Sequence, residues 1–149
     1  MAPVIALVGG FVLLRLTGLL GVAALDAWPP ALRGGVALMF LLTGVAHFVP
    51  KMRADMIAMV PPRLPSPALL VTVTGVLELA GALGVLVPAT AGLAAWCLTL
   101  LLLVMFPANV SAARRGLEFG GRPATPLVPR TLEQALFLAA TIAAAVTAP

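Results

Sequence analysis

The sequence is poor in charged residues, which make up only 9% of its 149 residues. A soluble domain carries about 25%. Apolar residues reach 62%, and the mean hydropathy is +1.14. The charged residues are too few to cover a water-facing surface, so the outer surface is expected to face lipid. The net charge of +4 is compatible with a nucleic-acid partner. However, the cations flank apolar segments, a pattern typical of membrane topology signals, and no nucleic-acid partner is expected.

Residues that bind metals or carry out redox chemistry are also scarce. Cys97 is the only cysteine, which excludes an intramolecular disulfide and a C-x-x-C pair. His47 is the only histidine, which excludes bis-histidine haem ligation within one chain. A metal site at His47 would need carboxylate help, so no metal is expected. The sequence contains no cofactor fingerprint and no nucleophile–base pair, which favours a non-catalytic subunit over an enzyme.

Apolar segments long enough to cross a bilayer need about 20 residues, and five segments qualify or nearly qualify. We therefore predict an all-α membrane protein, a single transmembrane domain over residues 1–149 that forms a helix bundle. A cleaved signal peptide is the alternative interpretation of the first segment. It lacks a basic start and has Arg15 near its middle, so a retained helix is expected. The predicted spans are residues 4–25, 31–49, 68–87, 91–112 and 131–147.

The loops predict both an orientation and two local structures. Seven Lys and Arg residues fall in the second–third and fourth–fifth connections, whereas the opposite side has only Arg33. The positive-inside rule then places the N-terminus in the cytoplasm and the C-terminus outside. Residues 52–60 are predicted to form an interfacial helix, and 114–130 an irregular loop. The seven cations are Lys51, Arg53, Arg63, Arg114, Arg115, Arg122 and Arg130.

Two ionisable residues lie near the middle of predicted spans. Arg15 is at the midpoint of the first span and Glu78 at the midpoint of the third, and these spans run in the same direction. An unpaired charge within a span is costly, so the sequence predicts an intramembrane Arg15–Glu78 ion pair. Two interpretations stay open: a structural pair that holds two helices in register, and a ligand or proton site built on the Glu78 carboxyl group.

A second polar set is predicted near the cytoplasmic helix ends. His47 closes the second span, Asn109 closes the fourth, and Glu133 and Gln134 open the fifth. Because these ends share one membrane level, the side chains are expected to converge on a polar pocket. The alternative is that they cap helix ends. Pro107 is expected to kink the fourth span and free a backbone carbonyl.

Five blocks of the sequence resemble, in order, the DoxX-like family of small bacterial membrane proteins. The resemblance implies a four-helix core formed by the second to fifth spans, with the first span added. His47, Glu78 and Asn109 fall in the blocks and Arg15 does not. The family is named after a small subunit associated with a thiosulfate:quinone oxidoreductase. The blocks are Gly44–Lys51, Val60–Pro65, Thr74–Ala82, Phe106–Asn109 and Arg130–Gln134.

Three functions follow as hypotheses. The first, suggested mainly by the resemblance, is a redox-associated subunit of the bacterial inner membrane that binds a quinone or similar apolar molecule. Its candidate ligand-binding residues are His47, Glu78, Asn109 and Gln134. The second is a small proton-coupled carrier or channel, and the third is a scaffold or assembly factor. The expected partners are the lipid bilayer, a membrane-associated oxidoreductase and a second copy of the chain.

Overall fold

The computed structural model describes residues 1–149, and almost all of its regular structure is helical. Four helices begin with a proline in the first turn, where the missing N–H costs no intrahelical hydrogen bond. The six helices are α1 (Ala2–Leu19), α2 (Trp28–Ala46), α3 (Pro50–Met59), α4 (Pro67–Gly84), α5 (Ala91–Arg115) and α6 (Leu127–Val146).

Four of these helices, α1, α2, α4 and α5, are long and apolar enough to cross a membrane. Their outward faces bear many exposed large apolar side chains, for example Leu13 at 64% and Leu100 at 62% exposure. Exposed apolar surface on this scale is not tolerated in water. The chain is therefore an all-helical membrane protein, as its composition predicted.

The bundle is a ring of four helices with a fifth outside it. Helix α2 packs against α4 and α6, and α5 completes the ring by packing against α4 and α6. Helix α1 packs mainly on α2. Side chains from all four ring helices meet in the core, where the largest fully buried ones include Phe40, Met39, Leu98 and Val85.

Glycines allow α1 to approach α2 closely. A Cβ atom on Gly35 would lie 2.6 Å from the carbonyl oxygen of Leu7, and one on Gly10 would lie 2.7 Å from a Leu38 methyl group. Small residues are the usual means of close packing between membrane helices, where burial from water supplies no driving force. The α1–α2 contact therefore depends on backbone proximity.

The first predicted span, residues 4–25, is too long. Helix α1 ends at Leu19, and a separate 3-10 turn covers Ala23–Leu25. The break occurs at Gly21, whose φ of 112° is incompatible with a right-handed helix. Arg15 consequently lies in the last turns of α1 and not at its midpoint.

The segment predicted as an irregular loop is more ordered than expected. Helix α5 continues to Arg115, and a two-stranded hairpin follows, with β1 (Glu118–Phe119) antiparallel to β2 (Arg122–Pro123). Gly120 and Gly121 both have positive φ values, which is the geometry of a type I′ turn. The sequence signal for this hairpin was the Gly-Gly pair.

Helix α3 and the hairpin lie at the same end of the bundle and are tied together there. The backbone N–H of Gly120 donates to the Asp55 carboxylate at 2.7 Å, and Arg115 donates to the carbonyl oxygen of Ala58 at 2.9 Å. Helix α3 also packs on α4 and α5. It begins two residues before the predicted helix 52–60, at Pro50.

Helix α6 has a polar first half and an apolar second half. It begins four residues before the predicted span 131–147, and its first turns include Arg130, Glu133 and Gln134. Its buried side joins α5 at mid-height, where the hydroxyl oxygens of Thr99 and Thr141 lie 2.9 Å apart. This buried contact fixes α6 against α5.

Candidate functional site: a buried polar pair between α2 and α4

Glu78 and His47 are the two most deeply buried ionisable side chains, with exposures of 2% and 5%. His47 immediately follows the last residue of α2, and Glu78 lies in the second half of α4. Nδ1 of His47 is 3.9 Å from Oε2 of Glu78. This is an ion-pair distance but is too long for a hydrogen bond.

A third residue, Thr43, connects the pair. Its hydroxyl group is 2.5 Å from Oε2 of Glu78, and its carbonyl oxygen is 2.9 Å from Nδ1 of His47. Thr43 and His47 are four residues apart, which places both on the same face of α2. That spacing was the sequence signal that pointed to Thr43, and this residue was not predicted.

Two glycines make room for the pair. A Cβ atom on Gly75 would lie 2.6 Å from the Cβ of His47, and one on Gly44 would lie 3.3 Å from the Cβ of Glu78. The side chain of His47 therefore occupies the space above a missing side chain on α4. The α2–α4 interface is built around the polar pair.

Arg53 holds the chain that follows His47. From α3, its guanidinium group donates to the carbonyl oxygens of His47 and Ala68 at 3.3 and 3.0 Å and to the Thr72 hydroxyl at 2.9 Å. These bonds tie the end of α2 to the first turns of α4. They fix the position of the His47 backbone.

The predicted Arg15–Glu78 ion pair does not form. Nη1 of Arg15 donates to the carbonyl oxygens of Leu25 and Asp26, and it lies 3.8 Å from the Asp26 carboxylate. The prediction failed because α1 packs mainly on α2, outside the ring that contains α4, and because α1 ends early, so that Arg15 lies in its last turns. Arg15 faces the connection to α2, and Glu78 takes its partners from α2 instead.

The second predicted set is dispersed. Gln134 is buried and donates to the carbonyl oxygen of Leu102 at 2.9 Å, in the turn of α5 that precedes Pro107. The Glu133 carboxylate is 3.7 Å from the amino group of Met1. Asn109 is partly buried, and its side chain makes no hydrogen bond within the protein. No hydrogen bond joins these three residues to His47.

The structure contains no group of three His, Cys, Asp or Glu side chains placed to hold a metal ion. Two apolar grooves lie elsewhere on the bundle. One, about 260 Å³, lies between α1, α2 and α6, and the other, about 540 Å³, lies between α4 and α5 and is bordered by Cys97. Glu78 and His47 line neither groove.

Residues 36–148 match the family model described as "Domain of unknown function (DUF8561)". The chain belongs to this family. The DUF8561 region begins inside α2, so it includes Thr43, His47 and Glu78 and leaves out α1. No curated protein and no solved structure matches the chain.

Proposed function

We propose that the protein is a redox-associated membrane subunit that binds a quinone or a similar apolar molecule beside the His47–Glu78 pair. The observation that supports this most is the pair itself, which is nearly fully buried inside a bundle of apolar helices. Ionisable groups within a membrane protein are costly, and they commonly mark a functional site.

The open polar atoms of the site support a ligand of this kind. Nε2 of His47 and Oε1 of Glu78 have no hydrogen-bond partner in the protein. A molecule of the quinone class enters from the lipid, and its ring oxygens need polar partners once inside. Those oxygens only accept hydrogen bonds in the quinone and can also donate them in the hydroquinone. Of the other two candidates, Asn109 keeps its whole side-chain amide free, whereas the amide N–H of Gln134 is already committed to Leu102.

The five-span, DoxX-like arrangement belongs to the same proposal. In it α6 is the fifth span, the N-terminus is in the cytoplasm of a bacterium and the C-terminus lies outside the inner membrane. The contact of Met1 with Glu133 supports the five-span arrangement, because it places the start of α1 and the start of α6 at the same end of the bundle. The placement of α3 and the hairpin at one end of the bundle supports the orientation, because four of the seven cations gather there. Lys51 and Arg53 lie in α3, Arg122 lies in the hairpin, and Arg115 ends α5 just before the hairpin.

Reporter fusions test the topology. Alkaline phosphatase fused after Val146 is expected to be active and a green fluorescent protein fusion there dark, because the C-terminus lies outside. The same reporters inserted between Gly120 and Gly121 should give the reverse result. A fluorescent C-terminal fusion would mean that α6 does not span the membrane.

Ligand binding is tested by native mass spectrometry of the protein released from a mild detergent. We expect a bound mass that organic extraction identifies as a quinone or a related apolar compound. His47→Ala and Glu78→Gln should lose it, whereas the distant control Thr90→Ala should retain it. Wild-type protein that is folded and has no bound mass, even after incubation with ubiquinone or menaquinone, would contradict the proposal.

A proton-coupled carrier is the second candidate, because both members of the pair can exchange protons and lie together in the interior. Proton flux distinguishes the carrier from the quinone-binding subunit, and it is measured in liposomes with an imposed pH gradient and a pH-sensitive dye. Flux that Glu78→Gln abolishes would favour the carrier. If His47→Ala and Glu78→Gln both fold and both fully complement a deletion of the gene in cells, the protein is a scaffold, and its polar pair is structural.

A further inference from the structure

The hydrogen position on His47 can be read from its backbone contact. Nδ1 lies 2.9 Å from the carbonyl oxygen of Thr43, and a carbonyl oxygen only accepts hydrogen bonds. Nδ1 therefore bears the hydrogen and donates it to Thr43. In the neutral imidazole ring, Nε2 then has a free lone pair and acts as an acceptor.

Glu78, like His47, has one atom bonded to Thr43 and one atom without a partner. Oε2 of Glu78 lies 2.5 Å from Oγ1 of Thr43, which itself lies 3.2 Å from the carbonyl oxygen of Met39. Thr43 donates to the ionised carboxylate, or a proton on Oε2 is donated to Thr43 while Thr43 donates to Met39. In both arrangements Oε1 is an acceptor, and it would become a donor only if the carboxyl proton lay on Oε1 itself.

Both free acceptors keep a small accessible surface. The two side chains are more than nine-tenths buried, yet Arg130 Nε is the only fully enclosed side-chain polar atom that lacks a partner. Nε2 of His47 and Oε1 of Glu78 are therefore not fully enclosed by the packed side chains. An acceptor left without a donor in such surroundings is unfavourable.

We infer that this site selects molecules that donate hydrogen bonds: it binds a lipid-soluble phenol or hydroquinone more tightly than the matching quinone. A quinone offers only acceptor oxygens, which would face the lone pairs of Nε2 and Oε1. A hydroquinone offers hydroxyl groups to both. The inference rests on the proposed function and adds the form of the ligand.

The test compares three probes on the full chain in lipid nanodiscs: an alkyl-substituted benzohydroquinone under anaerobic conditions, the matching benzoquinone, and the hydroquinone dimethyl ether. Empty nanodiscs correct for partition into lipid. Two hydrogen bonds predict that the hydroquinone binds about tenfold or more tightly than the quinone. The dimethyl ether keeps the ring and the alkyl chain, has no donor and is larger by two methyl groups, so it should bind no more tightly than the quinone.

Variants assign the preference to the two acceptors. His47→Ala and Glu78→Gln should each reduce the ratio of hydroquinone to quinone affinity severalfold, because Ala removes an acceptor and Gln introduces a donor. Thr141→Val, on the opposite side of the ring, should leave the ratio unchanged. An unchanged ratio in both folded site variants would overturn the assignment.

If a site variant fails to fold, the affinities of the three probes for the wild-type protein still test the inference. Quinone binding that equals or exceeds hydroquinone binding would overturn the inference and leave the proposed function standing. Absence of binding by all three probes would overturn both. Equal tight binding of hydroquinone and dimethyl ether would overturn the inference, because shape alone would then explain the affinity.

Discussion

Gly75 of α4 lies directly against the His47 side chain, so closely that a Cβ atom at Gly75 would be 2.6 Å from the Cβ of His47. A Cβ atom is fixed by the backbone, so neither the Cβ of His47 nor one added at Gly75 could rotate away. Replacement of this glycine by any other residue must therefore separate α2 from α4 or displace His47.

Gly75→Ala is expected to destabilise the bundle by about 1–3 kcal/mol, the usual cost of an oversized core residue. Unfolding in detergent, followed by circular dichroism, measures it. Gly9→Ala is the matched control, because Gly9 is also within a helix and a Cβ there meets nothing within 4 Å. Equal stability of the two variants would contradict the close α2–α4 contact.

Arg15 and Glu78 are expected to act independently. Arg15→Ala removes the contacts to Leu25 and Asp26, and Glu78→Gln changes the contact to Thr43. A double-mutant cycle of unfolding free energies should therefore give a coupling within about 0.5 kcal/mol of zero. A coupling well above about 1 kcal/mol would show that the Arg15–Glu78 ion pair predicted from the sequence does form.

Thr99 and Thr141 are expected to show a small but measurable coupling. Their hydroxyl groups form a buried hydrogen bond between α5 and α6, and such bonds in membrane proteins contribute about 0.6 kcal/mol on average. Valine has nearly the shape of threonine, so a cycle of Thr99→Val and Thr141→Val isolates the bond. If the free-energy losses of the two single variants add up to that of the double variant, the hydrogen bond contributes nothing to stability.

Gln134 and Glu133 are adjacent but should respond differently. Gln134→Leu removes the donor to the Leu102 carbonyl and is expected to cost about 1 kcal/mol. Glu133→Gln weakens a 3.7 Å contact with the exposed amino group of Met1 and removes a charge near Arg130, so its effect should stay below about 1 kcal/mol. A larger effect at Glu133 than at Gln134 would contradict the placement of α6.

The sequence predicted the helices well because their signals are long and local. Apolar runs and prolines located all five long helices, and the helix at residues 52–60 was also found. The end of α1 was missed because Gly21 interrupts a run that remains apolar, and hydropathy does not register backbone conformation. The hairpin was missed because the two glycines were taken as loop residues.

The site was only half predictable. Glu78 could be identified because an ionisable residue in the middle of an apolar span needs a partner, but which partner it has depended on which helices adjoin. Apolar patterning does not decide that order in a membrane bundle, because every helix has similar faces. Depth alone therefore paired Glu78 with Arg15, whereas packing of α2 on α4 brought Thr43 and His47 to it.

The single histidine permits one direct measurement of the central claim, that His47 and Glu78 form an open polar ligand site. In protein labelled with 15N-histidine, every imidazole signal comes from His47. We predict that Nδ1 bears the hydrogen, that Glu78→Gln shifts both ring signals, and that added hydroquinone shifts Nε2 most. A hydrogen on Nε2, or a ring spectrum that neither Glu78→Gln nor hydroquinone alters, would contradict the account.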